Sequence, residues 1–292
     1  MSISSKKVAL AFATTLPLYS VIGASVAQEA VQPEATHAVV EKQSVKSQKF
    51  MVASANPIAT QAGYEVLERG GSAADAAVAV QLMLNLVEPQ SSGIGGGAFM
   101  VYWDAKAKSL TTFDGREKAP MAATPDYWLG TDGQPVGWFD AVVGGRSVGV
   151  PGTLKLIETV HQRYGNQDWA ELIEPTRALA QGGFQVSHRM ANSIATAVGK
   201  RKLEAMPHTR AYFFDKNGAP LKEGTLLRNP EFAAALAMIQ KEGSKEAKIE
   251  FTAQFRGTML NDIIYVYNEV PPFTKKREKW GGSHLLFYKP LS

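Results

Sequence analysis

The sequence predicts an α+β fold in which antiparallel strands carry helices on their faces. Three observations predict it. The segments run helix, helix, hairpin and then mostly helices, not the strand–helix alternation of a parallel doubly wound sheet. Two strand-like runs, AFMVYW and SLTTFD, flank the short connection DAKAK, which is hairpin spacing. The 292 residues are 45% hydrophobic and 20% charged, enough for one large domain or two small ones.

The first helix is expected in ANPIATQAGYEVLERGG, with Asn56 as N-cap, Pro57 at the first helical position and Gly70 at the end. Ile58, Ala62 and Val66 recur every four residues, as one buried face would. SAADAAVAVQLMLNLVEPQ follows at once. Ser72 and Asp75 form a capping-box pattern, and the helix is apolar nearly all round, so it is expected to be buried. VPGTLKLIETVHQRYG, DWAELIEPTRALAQGG and SHRMANSIATAVGKRK read as three further helices. In FFDKNGAPL, Asn217-Gly218 marks a turn. NPEFAAALAMIQKEG is a last helix capped by Asn229 and closed by Gly243. No repeat at solenoid period is visible.

Composition excludes several classes. There is no cysteine, hence no disulfide, no thiolate nucleophile and no cysteine-ligated metal. The net charge is only +4, without a basic stripe interleaved with aromatics, so nucleic acid is not an expected partner. Histidines 37, 161, 188, 208 and 284 stand at no metal-ligand spacing, and no metal or other cofactor is expected. Lys6 and Lys7 precede an apolar run from Val8 to about Ala24, and Ser25 and Ala27 bracket Val26. This is the pattern of a secretory signal peptide, residues 1–27, cut after about Ala27. The run is short and interrupted by Pro17, which argues against a retained anchor. The expected location is periplasmic or secreted, off the membrane once the signal is removed. Residues 28–48 read as a polar, flexible leader.

Two stretches carry the functional signal. SSGIGGGAFM places Gly93, Gly95, Gly96 and Gly97 just before the first strand. A phosphate loop would need Gly-Lys-Ser/Thr, but Ala98 and Phe99 follow Gly97. A dinucleotide fingerprint would need strand, glycines, helix; the order here is helix, glycines, strand. The glycines are therefore read as a packing element that allows close backbone approach and can offer N–H groups to a pocket. FDGREKAP sets Arg116 at the end of the second strand. A lone arginine is commonly a solvated surface residue, but a fixed guanidinium can also grip a carboxylate with two parallel hydrogen bonds. Asp114 reads as a turn-shaping residue, Tyr127 and Trp128 as packing, and KKREK as a solvated charge run.

From about residue 49 to 247 the sequence resembles the large-subunit half of gamma-glutamyltranspeptidases, also called glutathione hydrolases. EPQSSGIGGGAFM combined with DGREKAP carries the resemblance, and RSVGVPGTLKLIETVHQRYG and LKEGTLLRNPEFAAALAMIQKEG extend it. The resemblance implies an N-terminal-nucleophile hydrolase αββα sandwich, made as an exported precursor that cuts itself into large and small subunits. It implies acyl transfer on gamma-glutamyl amides such as glutathione. The threonine at the new N-terminus attacks the carbonyl, and water or an acceptor amine then takes the acyl group. By motif, Arg116 matches the arginine that grips the alpha-carboxylate of the gamma-glutamyl group, with Glu117 a neighbour that could orient it.

The family's Thr-Thr-His segment is not found in this sequence. Thr111-Thr112, the only pair past the leader, belongs to the strand before Arg116. No residue is therefore assigned as catalytic. The expectation is a large-subunit portion, inactive alone, whose small subunit is missing and whose apolar sheet face and strand edges are exposed. A gamma-glutamyl-binding protein without catalysis, or a large subunit complemented by a separate small one, are the alternatives. Residues 248–292 resemble nothing in the family and read as a non-family tail, from a shifted reading frame or as a divergent C-terminus.

Overall fold

The computed structural model describes residues 46–142, 145–198 and 203–246, with two short strands beyond them. The expected signal peptide 1–27, residues 28–45 of the expected leader and most of the 248–292 tail lie outside the described residues. No helix among the described residues is long and apolar enough to cross a membrane.

Helix α1 spans Pro57–Glu68, and Asn56 Oδ1 accepts the Ile58 N–H at 2.9 Å, the N-cap expected from the sequence. Its buried face is Ala59, Ala62, Gly63 and Val66. Ile58 is 37% exposed, so the four-residue spacing chose the face one residue early. Helix α2 spans Ala73–Val87 and starts with the full capping box of Ser72 and Asp75. Ala74, Val78 and Leu82 are fully buried along it; this is the central helix of the core.

Asp75 does more than cap. Its side chain is fully buried, and it accepts the Ser72 N–H at 2.8 Å and the Asn166 N–H at 3.0 Å. Asn166 Nδ2 donates to the Gly70 carbonyl and Gln167 Nε2 to the Val66 carbonyl. The turn between α1 and α2 is thus clasped by a segment far along the chain. His161 Nε2 bonds the Gln167 carbonyl at 2.9 Å and sits 3.7 Å from Asp75, a structural role.

Strands β1 (Ala98–Asp104) and β2 (Ser109–Gly115) pair antiparallel, from Ala98 opposite Gly115 to Asp104 opposite Ser109. One face lies on the core: Ala98, Met100, Tyr102 and Phe113 pack there, and Tyr102 stacks on Tyr164 with ring centroids 4.1 Å apart. The other face presents Phe99, Val101, Trp103 and Leu110, each 57–68% exposed. The alternation is what a strand dictates, but here the outward set is apolar too.

Short α3 (Trp138–Val142) and a turn at Gly145–Ser147 lead into α4 (Thr153–Tyr164) and α5 (Trp169–Gly182). Strand β3 (Phe184–Gln185), α6 (His188–Ala197), α7 (Pro207–Phe213) and β4 (Leu226–Leu227) precede α8 (Pro230–Glu246). Asn229 caps α8 through the Phe232 N–H at 2.9 Å, and the backbone leaves helical geometry at Gly243, as the sequence indicates. The 214–220 turn is closed by a bridge between Phe214 and Pro220. Beyond α8, β5 (Ile249–Glu250) pairs with β6 (Tyr267–Asn268). Helices α2, α4, α5 and α8 bury Leu82, Ile157, Ile173, Leu236 and Ile239 at 0–1% exposure. Trp169 Nε1 bonds the Ile239 carbonyl across the α5–α8 seam.

Tyr127 and Trp128 correct the packing expectation. They meet each other edge to face at 5.2 Å, but Trp128 is 42% exposed.

Candidate functional site

The site is built where three segments meet: the glycine loop 93–97, the end of β2 with Arg116 and Glu117, and the stretch 148–153 ahead of α4. Two glycines make the meeting possible. A Cβ on Gly97 would fall 2.9 Å from the Glu117 backbone nitrogen and against its carboxylate. One on Gly152 would collide with the Gly115 carbonyl. Only glycine lets these backbones approach so closely.

The loop bonds the protein through its Gly96 carbonyl. The Gly96 carbonyl accepts the Gly152 N–H at 3.0 Å and the Thr153 N–H at 3.1 Å. Gly152, the N-cap of α4, supplies no side-chain cap, so a loop carbonyl satisfies N–H groups that a helix start otherwise leaves open. Lys118 and Val150 exchange backbone hydrogen bonds at 3.3 and 2.7 Å, closing the junction. At this junction the loop contributes a carbonyl. Nothing in the arrangement resembles a phosphate cradle.

Arg116 stands at the open end of this junction. Asp114 Oδ1 accepts the Arg116 N–H at 2.9 Å, the turn-shaping role the sequence suggests. Glu117 Oε2 lies 3.3 Å from Arg116 Nε. The Arg116 side chain is 70% exposed and that of Glu117 28%. The guanidinium is therefore steered on one edge by a carboxylate wedged against Gly97, while most of its surface faces outward.

Sequence reasoning missed a second polar centre, just ahead of the glycine loop. Glu88 follows α2 and is 2% exposed. Its Oε1 accepts from Asn56 Nδ2 at 2.7 Å; its Oε2 accepts from Gln90 Nε2 and, at 2.9 Å, from Arg189 Nη1. Ser92 Oγ donates to Asn85 Oδ1 at 2.6 Å, and Gln81 Nε2 reaches both. A charged residue closing an almost wholly apolar helix was the signal available for it. Thr111 and Thr112 lie mid-strand opposite Tyr102 and Val101, so the only threonine pair past the leader is ladder, not a chain start. No cluster of three or more His, Asp or Glu able to hold a metal occurs among the described residues.

A family model for gamma-glutamyltranspeptidase matches residues 59–268. The chain belongs to the gamma-glutamyltranspeptidase family. It is 41% identical over 194 residues to the glutathione hydrolase proenzyme of Bacillus subtilis, covering 66% of this chain and 32% of that protein. With the Escherichia coli glutathione hydrolase proenzyme it shares 34% identity over 219 residues, 75% of this chain and 36% of that one. The chain thus spans about a third of the curated relatives it matches. The crystal structure of Helicobacter pylori gamma-glutamyltranspeptidase superposes with a TM-score of 0.65 at 33% identity, over 70% of this chain and 57% of that one. The Bacillus halodurans cephalosporin acylase gives 0.59 at 26% identity. The fold is accordingly the α+β N-terminal-nucleophile hydrolase type expected from the sequence. Within the gamma-glutamyltranspeptidase frame, the glycine loop and Arg116 both fall inside the matched region.

Proposed function

We propose that this chain supplies the substrate-carboxylate half of a gamma-glutamyl amide-cleaving site. The observation that carries the reading is Arg116: its backbone N–H is held by Asp114 Oδ1, and its guanidinium lies 3.3 Å from Glu117 and is 70% exposed. An outward guanidinium suits the alpha-carboxylate of a gamma-glutamyl group, which it can hold with two parallel charge-assisted bonds. Glutathione carries that carboxylate. Cleavage needs a nucleophile as well, and neither Thr111 nor Thr112 suits the role in mid-strand. The chain by itself is therefore expected to bind, and acyl transfer to require a small subunit carrying the threonine. The Lys6–Ala27 segment supports export as the route to the periplasm or outside the cell.

Titration calorimetry with glutathione tests the reading. Arg116→Ala is expected to weaken binding by about 2 kcal/mol or more, with an unchanged unfolding midpoint. Arg116→Lys is expected to fall between, because an ammonium cannot form the paired bonds. Equal affinity in wild type and Arg116→Ala would remove Arg116 from the site. Cleavage of a chromogenic gamma-glutamyl anilide after co-expression with a family small subunit tests the enzymatic half.

A further inference from the structure

We infer that Glu88 is a positioning residue for the Arg116 site, acting through the glycine loop; this rests on the reading of Arg116 just given. Glu88 is a buried carboxylate for which the proposed chemistry has no direct use. It touches neither Arg116 nor the junction at Gly97. What it does is fix the root of the loop that ends there.

Three donors converge on its two oxygens from three places: Asn56 at the start of α1, Gln90 in the turn and Arg189 on α6. Its carbonyl also accepts the Ser91 N–H at 3.0 Å. The rest of the turn is only loosely held by polar contacts. Asn85 Nδ2, Gln90 Oε1 and Ser91 Oγ are buried without a hydrogen-bond partner among the described residues. Glu88 and the Ser92–Asn85 bond, with Ile94 sunk in the core at 5% exposure, are thus the anchors of the segment. From that segment the path is short. The Gly96 carbonyl holds the Gly152 and Thr153 N–H groups, and Gly97 backs directly on Glu117, which steers Arg116. A carboxylate at 88 accepts at both oxygens. An amide there turns one acceptor into a donor facing Arg189 or Asn56, and a buried network with one wrong member loses more than one bond.

The experiment is residue-resolved hydrogen exchange on the full chain, beside glutathione calorimetry, for wild type, Glu88→Gln, Arg189→Met and Arg189→Lys. Exchange reads local opening segment by segment. In Glu88→Gln and Arg189→Met the amides of Gly152, Thr153, Val150 and Lys118 are expected to exchange about tenfold faster, the scale of one lost buried hydrogen bond. Ile173 and Leu236, deep in α5 and α8, are expected to keep their rates. Glutathione affinity is expected to fall by a similar factor, and Arg189→Lys to recover most of both effects. Arg189 is partly exposed, so its variants keep the test open should Glu88→Gln not fold. Unchanged rates at the four junction amides would overturn the inference, and so would acceleration everywhere alike, which is plain destabilisation. Should wild type bind no glutathione, the reading of Arg116 fails, while the exchange pattern still decides whether Glu88 sets the junction.

Discussion

Two arginine–glutamate pairs flank the glycine loop, and they differ in what they leave free. Glu88 and Arg189 are 3% and 31% exposed in their side chains; Glu117 and Arg116 are 28% and 70% exposed. At the first pair the carboxylate is saturated by internal donors. At the second, the carboxylate leans on one edge of the guanidinium from 3.3 Å and leaves the rest to solvent. The same two residue types thus give a structural joint in one environment and, in the other, the exposed group proposed above to bind the substrate carboxylate. The difference teaches that burial, not residue type, decides whether an ion pair is consumed by the fold or left with donors facing solvent.

The largest contrast comes from removing each carboxylate. Glu88→Ala removes the buried acceptor shared by Asn56, Gln90 and Arg189, leaves a void and is expected to cost about 3–5 kcal/mol. Glu117→Ala, at an exposed pair, is expected to cost about 0–1 kcal/mol. Urea unfolding of the two variants checks this, and similar costs would break the comparison.

A smaller effect tests the room left for the outer pair. Gly97→Ala pushes a methyl against the Glu117 backbone and carboxylate and is expected to cost about 1–3 kcal/mol. It should also weaken glutathione binding, because Glu117 can move only by dragging Arg116. Stability and calorimetry measured together separate the two consequences.

The smallest effect concerns a third pair, outside the site. Arg177 forms a two-pronged pair with Glu174 at 2.6 and 2.7 Å on the surface of α5. Its hydrogen bonds, then that of Gln240, hold the Glu174 carboxyl below the ordinary carboxylate range. A carboxyl lowered in the folded state adds stability above its unfolded-state pKa and loses it as the pH falls through the folded value. Wild type is therefore expected to be slightly more stable than Glu174→Gln at neutral pH, with the gap closing in acid. Urea midpoints at a series of pH values check the sign; at so exposed a pair the gap is expected to stay small.

Much of the fold was legible in the residues. Asn56, Ser72 with Asp75 and Asn229 each cap the helix their position promises, because capping is local chemistry written within four residues. The hairpin was legible from two strand-like runs around DAKAK, and the position of Arg116 just past the second strand from the same reading. Glu88 was not, since its meaning lies in Asn56 and Arg189, 32 and 101 residues away. Ile58 and Trp128 read as buried and are exposed for a related reason. Periodicity gives a face but not the angle at which a neighbour covers it, and aromatic character does not say whether a partner surface is there. The loop's use of the Gly96 carbonyl was equally out of reach, because it depends on where α4 begins.

The Asp75 carboxylate has a consequence for how the protein reaches its shape. It caps α2 locally through Ser72 and also takes the Asn166 N–H from 91 residues away, so the same group closes a long loop. Closing such a loop costs entropy before its contacts repay it. Helix α2 therefore has its capping box from local residues, while its clasp on the 166–167 segment waits for that loop. Its docking, not its inception, is the topologically slow event, and a truncation that stops short of residue 166 leaves the central helix capped but without its second clasp.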